Sequence, residues 1–167
     1  MTVMDQACTR LEAAREVLAQ VPDPEIPVLT LMDLGIVRDL RLREDGTDGL
    51  EVVLTPTYSG CPATEAIADD VRAALARFGE VQITLQRAPA WTTDWISEDG
   101  KRKLREYGIA PPGSTQDLAQ GIKPQFPSCP RCSSRQSEKL SAFGSTPCKS
   151  LFRCRACGEP FEYFKPI

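Results

Sequence analysis

The sequence predicts an α+β chain, a small α-β-β-α-β domain followed by a C-terminal four-cysteine ribbon. Three observations predict it. Amphipathic patterns at helical spacing bracket stretches that alternate apolar and polar residues like strands. A turn of Gly60, Cys61 and Pro62 joins one such strand to one such helix. Two C-x2-C pairs close the chain. At 167 residues the chain can bury one ordinary core and carry a small appendage.

The spacing predicts a first helix over residues 5–20, with Ala7, Leu11, Ala14, Val17, Leu18 and Val21 on one face and Arg10, Glu12, Arg15 and Glu16 around it. VPDPEIP stops it. Pro24 and Pro27 make that segment extended and stiff, and they hold Asp23 and Glu25 in a defined place. After a turn at Gly35, Ile36 to Arg43 reads as a strand, Asp45 to Gly49 as a hairpin loop, and Leu50 to Thr55 as the returning strand. Ile67, Val71, Ala74, Leu75 and Phe78 then fall at helical spacing, Gly79 closes the helix, and Val81, Ile83 and Leu85 alternate with Gln82, Thr84 and Gln86 as a third strand.

Cys61 sits at or beside the start of the second helix. Gly60 supplies backbone freedom, and Pro62 suits a first helical position because its missing N–H would have had no partner. Unpaired amides and the positive end of the helix dipole favour a thiolate there, as metal binding or nucleophilic chemistry requires. The plainer reading is a buried cysteine acting as a small hydrophobe.

Trp91 and Trp95 follow, as cover for the end of the sheet or as a contact surface. A short helix runs from Ser97, its N-cap, to Tyr107, with Gly108 as its stop. The expected organisation is a first domain over 1–109, a Pro- and Gly-rich linker over 110–125 and a ribbon domain over 126–167. In the ribbon, Cys129 and Cys132 form one pair and Cys154 and Cys157 the other, spaced to make a tetrahedral all-sulfur site that suits structural zinc better than iron. So short a segment needs the folding free energy a metal supplies. Phe143, Phe152, Phe161, Tyr163 and Phe164 are the apolar side chains expected to pack around it. Two disulfides are the alternative. Cys148 and Lys149, in GSTPCKS, are expected at the tip of a long hairpin, as a solvent-exposed turn or as a contact or ligand. Cys8 reads as inert.

Composition narrows the chemistry further. There is no histidine, which excludes Ser-His-Asp and Cys-His catalysis and any site needing imidazole. No apolar run reaches membrane-spanning length and the N-terminus does not read as a signal peptide, so a cytoplasmic location with reduced cysteines is expected. Charge is uneven: residues 1–122 hold 12 Lys and Arg against 20 Asp and Glu, and residues 123–167 hold 8 against 3. The basic tail suits an acidic partner or a nucleic acid.

VPDPEIPVLTLMDLGIVRDL followed by TPTYSGCPA resembles the MIP18 family, once called domain of unknown function 59, the small α+β domain of iron–sulfur assembly factors. The continuation PAWTTDWISEDGKRKLREYGIAPP and the four-cysteine ribbon are similar to its PaaD branch, from bacterial aerobic phenylacetate degradation. The resemblance covers nearly the whole chain. It implies an accessory or maturation protein of the multicomponent phenylacetyl-CoA epoxidase, the ring 1,2-epoxidase, assisting iron–sulfur cluster or iron delivery to an oxygenase or reductase component. It also implies Asp23, Glu25 and Cys61 as the marked positions of the first domain, and Cys129, Cys132, Cys154 and Cys157 as the ribbon ligands.

The residues agree on one point. A di-iron oxygenase would use Glu and His ligands, and a nucleotide-linked reductase a phosphate-binding glycine motif. The chain has neither histidine nor such a motif, so it reads as neither the catalytic nor the electron-delivering subunit. Because one cysteine cannot hold a cluster, a carrier role for Cys61 requires a second protomer, help from Asp23, Glu25 or Cys148, or a partner's ligands. Two rival readings stay open: a non-catalytic scaffold docking through the ribbon, Trp91 and Trp95, and a nucleic-acid-binding zinc ribbon. Nucleophilic catalysis by Cys61 is remote, since no general base is visible beside it.

Overall fold

A computed structural model describes residues 3–43, 47–58, 60–120 and 126–167, and of the side chains all of these but 3–5, 117 and 118. Packing groups the chain into two compact units, Met1–Trp91 and Thr92–Ile167. Residues 92–109, placed with the first domain on sequence, thus pack with the ribbon, and residues 121–125 of the expected linker lie outside the described residues.

In the first unit, helix α1 (Val3–Leu18) leads through the proline segment into β1 (Val37–Leu42) and β2 (Gly49–Leu54), an antiparallel pair in which Leu40 faces Val52 and Leu42 faces Leu50. Residues 44–46 of the expected hairpin loop lie outside the described residues. Helix α2 (Ala63–Leu75) crosses to β3 (Glu80–Leu85), which runs parallel to β2 in the order β1-β2-β3. A parallel return needs such a crossover. Leu18, Leu29, Leu31, Ile36, Leu50, Val52, Leu54, Val71 and Leu75 form the core. Trp91 joins them. It is 4% exposed and its Nε1 donates to the Leu34 carbonyl at 2.8 Å, which removes it from any contact surface and makes it the cover that the packing reading expected.

The second unit is built on the order β4-β7-β6-β5. Helix α3 (Glu98–Glu106) starts at Ser97, whose hydroxyl accepts from the Gly100 amide at 2.9 Å. It feeds β4 (Ile109–Ala110), and α4 (Thr115–Ala119) follows. The ribbon strands are β5 (Ser137–Ser141), β6 (Lys149–Cys154) and β7 (Pro160–Phe164), with β4 parallel to β7 and the others antiparallel. Phe152 stacks on Phe161 at 6.0 Å between centroids and meets Tyr163 edge-on at 5.7 Å, while Phe164 is fully buried.

Two expectations for the ribbon are corrected. Phe143 is 64% exposed, lying under the Lys165 ammonium rather than in the core. Cys148 and Lys149 are both buried, not set out on a turn, because the loop folds back: the Gly144 amide donates to the Lys149 carbonyl and the Lys149 amide to that of Thr146. Lys149 then reaches Glu162, Nζ to Oε2 at 2.9 Å, which satisfies its charge out of water.

Candidate functional site: a cysteine loop and a four-sulfur centre

β2 ends at Leu54 and the chain turns through Thr55–Pro62 into α2. Gly60 makes the turn with φ +83°, a left-handed conformation that glycine adopts without strain. Pro62 is the N-cap rather than the first helical residue, so Cys61 stands one position before the cap. Its carbonyl is held twice by Thr64, from the amide at 3.1 Å and from the hydroxyl at 2.8 Å, and its own amide donates to the Tyr58 carbonyl at 3.2 Å. The side chain is buried, where release of a cargo would call for exposure.

The VPDPEIP segment is held in place, but as bends and a turn rather than the extended stretch its prolines predict, because hydrogen bonds fold it back on itself. Pro22 bridges Thr30, and the Asp23 amide donates to the Leu29 carbonyl. Asp23, 6% exposed, turns its Oδ1 back to accept from the amides of Glu25 at 2.9 Å and Ile26 at 2.7 Å. That carboxylate shapes the turn that carries Glu25.

In the second unit, each C-x2-C pair makes the same turn. The Ser133 amide donates to the Cys129 carbonyl and the Cys129 amide to that of Ser134; Gly158 and Cys154, then Cys154 and Glu159, repeat the pattern, all at 2.9 Å. The two turns bring the four sulfurs within 4.8 Å of one another, with Cys132 and Cys154 at 3.5 Å and Cys129 and Cys157 at 3.8 Å. Zinc–sulfur bonds of about 2.3 Å set tetrahedral sulfur edges of about 3.8 Å, so the donor set fits a single tetrahedral ion. The Cys157 amide, with that of Ala156, points at Cys154 and brings its thiol down to about 7 against burial. For Cys132 the Ser134 amide pulls the same way, but hydrogen bonding with Cys154 and burial prevail and push it up to about 12. None of the seven cysteines is in a disulfide. Among the described residues this is the one group of three or more Cys, Asp or Glu side chains whose ligand atoms converge.

Residues 113–165 match the PaaD zinc beta ribbon domain, and residues 11–85 match the iron-sulfur cluster assembly protein family. A protein of Escherichia coli (strain K12), assigned as one of the subunits of a 1,2-phenylacetyl-CoA epoxidase, is 50% identical over 152 residues, 90% of this chain and 89% of its own. The chain belongs to the PaaD family. The Fe-S protein maturation auxiliary factor YitW of Bacillus subtilis (strain 168) is 39% identical over 90 residues, covering 52% of this PaaD-family chain and 85% of the factor. A crystal structure of a domain of unknown function, DUF59, from Bacillus anthracis shares the fold at a TM-score of 0.53 and 24% identity, over 60% of this chain and 96% of that one.

One residue of this PaaD-family site was invisible to sequence reasoning. Thr55 is 1% exposed, and its Oγ1 is the one buried side-chain polar atom among the described residues without a hydrogen-bond partner. Leaving such a hydroxyl unmet costs about 1–3 kcal/mol, so it invites an explanation. It stands at the root of the Cys61 loop. In the sequence it is simply the last residue of a strand.

Proposed function

We propose that the chain is an accessory maturation protein of a phenylacetyl-CoA epoxidase, acting in the cytoplasm and handing iron or an iron–sulfur cluster to an oxygenase or reductase component. The observation that carries this is the union, in one chain, of an iron–sulfur assembly region over 11–85 with a PaaD zinc ribbon over 113–165. In this reading Cys61 is the sulfur ligand of the cargo, Asp23 shapes the turn that carries Glu25, and Thr55 supplies an unspent hydroxyl at the base of the loop. The remaining cargo ligands come from the recipient. Zinc on Cys129, Cys132, Cys154 and Cys157 holds the ribbon and takes no part in transfer, since four sulfurs leave no open position.

The burial of Cys61 favours a second reading, a scaffold in which that cysteine is only a packing residue. Nucleic-acid binding by the basic tail is disfavoured by the acidic body, residues 1–122, which holds 12 Lys and Arg against 20 Asp and Glu. Co-expression of the epoxidase components with the wild type or with Cys61→Ser separates transfer from scaffolding. Iron content of the isolated components should fall with Cys61→Ser while the complex still assembles. Full iron loading with the variant would leave the scaffold.

A further inference from the structure

Four strands lie at sheet edges, β1 and β3 in the first unit and β4 and β5 in the second. An open edge presents unpaired N–H and C=O groups, and proteins blunt it with bulges, charges or brevity. β1 has a bulge between Val37 and Asp39 and carries Arg38, Asp39 and Arg41. β5 has one between Lys139 and Ser141 and carries Glu138 and Lys139, while β4 is two residues long. β3 has none of these protections. Its register with β2 is unbroken from Glu80 to Leu85, and its single charge, Glu80, sits at the first position, drawn to Arg43 at 2.9 Å. Among the described residues nothing pairs with its outer edge.

Beside that edge α2 and β3 frame an open groove of about 420 Å³, lined by Glu65, Ala68, Asp69, Arg72, Ile83 and Leu85. Leu85 is 43% exposed, an apolar side chain left in water at the end of an unprotected strand. Along α2 the groove's charges run from acidic to basic, Glu65 and Asp69 before Arg72. Asp69 already holds Arg72 at 2.8 Å, within its own helix.

We propose that β3 is a dimerisation edge, filled by β3 of a second copy running antiparallel about a two-fold axis perpendicular to the sheet. That symmetry lays the two α2 helices side by side and antiparallel. Glu65 then meets Arg72 of the second copy, twice over, and Ala68 lies near the axis, where a small side chain lets the helices approach. The acidic-to-basic order is what an isologous pairing requires. An extended segment of another protein would satisfy the strand edge but would give that order no role. The 13 residues of α2, at 1.5 Å each, keep the two Cys61 loops on the order of 20 Å apart, so each works singly. The dimer does not depend on what Cys61 carries.

Sedimentation velocity of the full zinc-loaded chain across the micromolar range tests this. The wild type should be a dimer; Glu65→Arg should raise the dissociation constant about tenfold or more, by setting like charges together. Adding Arg72→Glu to Glu65→Arg should restore the dimer, which no loss of folding could do. A wild type that stays monomeric throughout overturns the proposal, even if a foreign peptide binds the same edge. So does a dimer indifferent to Glu65→Arg, or one that the second substitution fails to rescue.

Discussion

Gly158 and Ser133 occupy the same position in the two cysteine turns, and both have positive φ, +79° and +61°. A non-glycine residue pays about 1–2 kcal/mol for that conformation. Nothing lies within 4 Å of a Cβ built on Gly158, so Gly158→Ala should destabilise the ribbon by about 1 kcal/mol through the backbone alone, read as a small fall in melting temperature of the zinc-loaded protein. Glu162 shows a different economy. Burial acts most strongly on it and would raise its pKa, but the Ser145 amide and the Lys149 ammonium together hold the carboxyl below its usual range. A depressed carboxyl pKa adds stability above the unfolded value and loses it as pH falls through that range. Lys149→Met should therefore cost about 2 kcal/mol, less than the roughly 3–5 kcal/mol of a fully buried pair because Glu162 keeps some solvent access. It should also flatten the acid limb of the stability curve in urea titrations from neutral pH downward. The sequence could not show this pair. A lysine in a turn-like stretch reads as solvated, and only the folded loop reveals the glutamate 13 residues on that pairs with it.

Helices and strands were legible because their periods are written in the chain. β1, β2, β3 and α3 lie within two residues of the stretches that alternation and capping signals mark out. The N-cap of α3 offers a direct check: Ser97→Ala removes the acceptor of the Gly100 amide and should lower stability by about 1 kcal/mol, whereas Ser97→Asp should preserve it. Thermal melts of the two variants side by side would show whether the hydroxyl or merely the position matters. What the pattern could not convey was depth. Phe143 has the same aromatic character as Phe152 and Phe161, yet the bulge after Lys139 and the returning loop put it outside the core. For Cys61 the sequence left two readings open, and burial agrees with the plainer one. A Gly-Cys-Pro turn at a helix start does not say how deep its thiol lies; in the fold Thr64 holds the Cys61 carbonyl and the side chain is buried.

The two units each carry a single tryptophan, Trp91 in the first and Trp95 in the second. If zinc supplies the ribbon's folding free energy, a chelator should unfold the second unit and spare the first. The Trp91→Phe protein, with Trp95 as its reporter, should then show a red-shifted emission on chelation, and Trp95→Phe should show none. The division of labour between the units was partly readable. The paired cysteines marked the four-sulfur cluster without help, since two C-x2-C turns are spaced to bring four sulfurs together. The orphaned hydroxyl of Thr55 could not be anticipated, because satisfaction of a buried group is a property of the packed structure. The function proposed for the whole molecule rests on keeping a closed four-sulfur centre apart from a single cysteine in the assembly domain, and anaerobic reconstitution with iron and sulfide tests it. Zinc, iron and sulfide are to be counted per chain in the wild type and in Cys61→Ser. About one zinc per chain is expected in both, with iron and sulfide retained by the wild type alone. Equal uptake by both proteins, or uptake by neither, would refute that separation and leave Cys61 a packing residue.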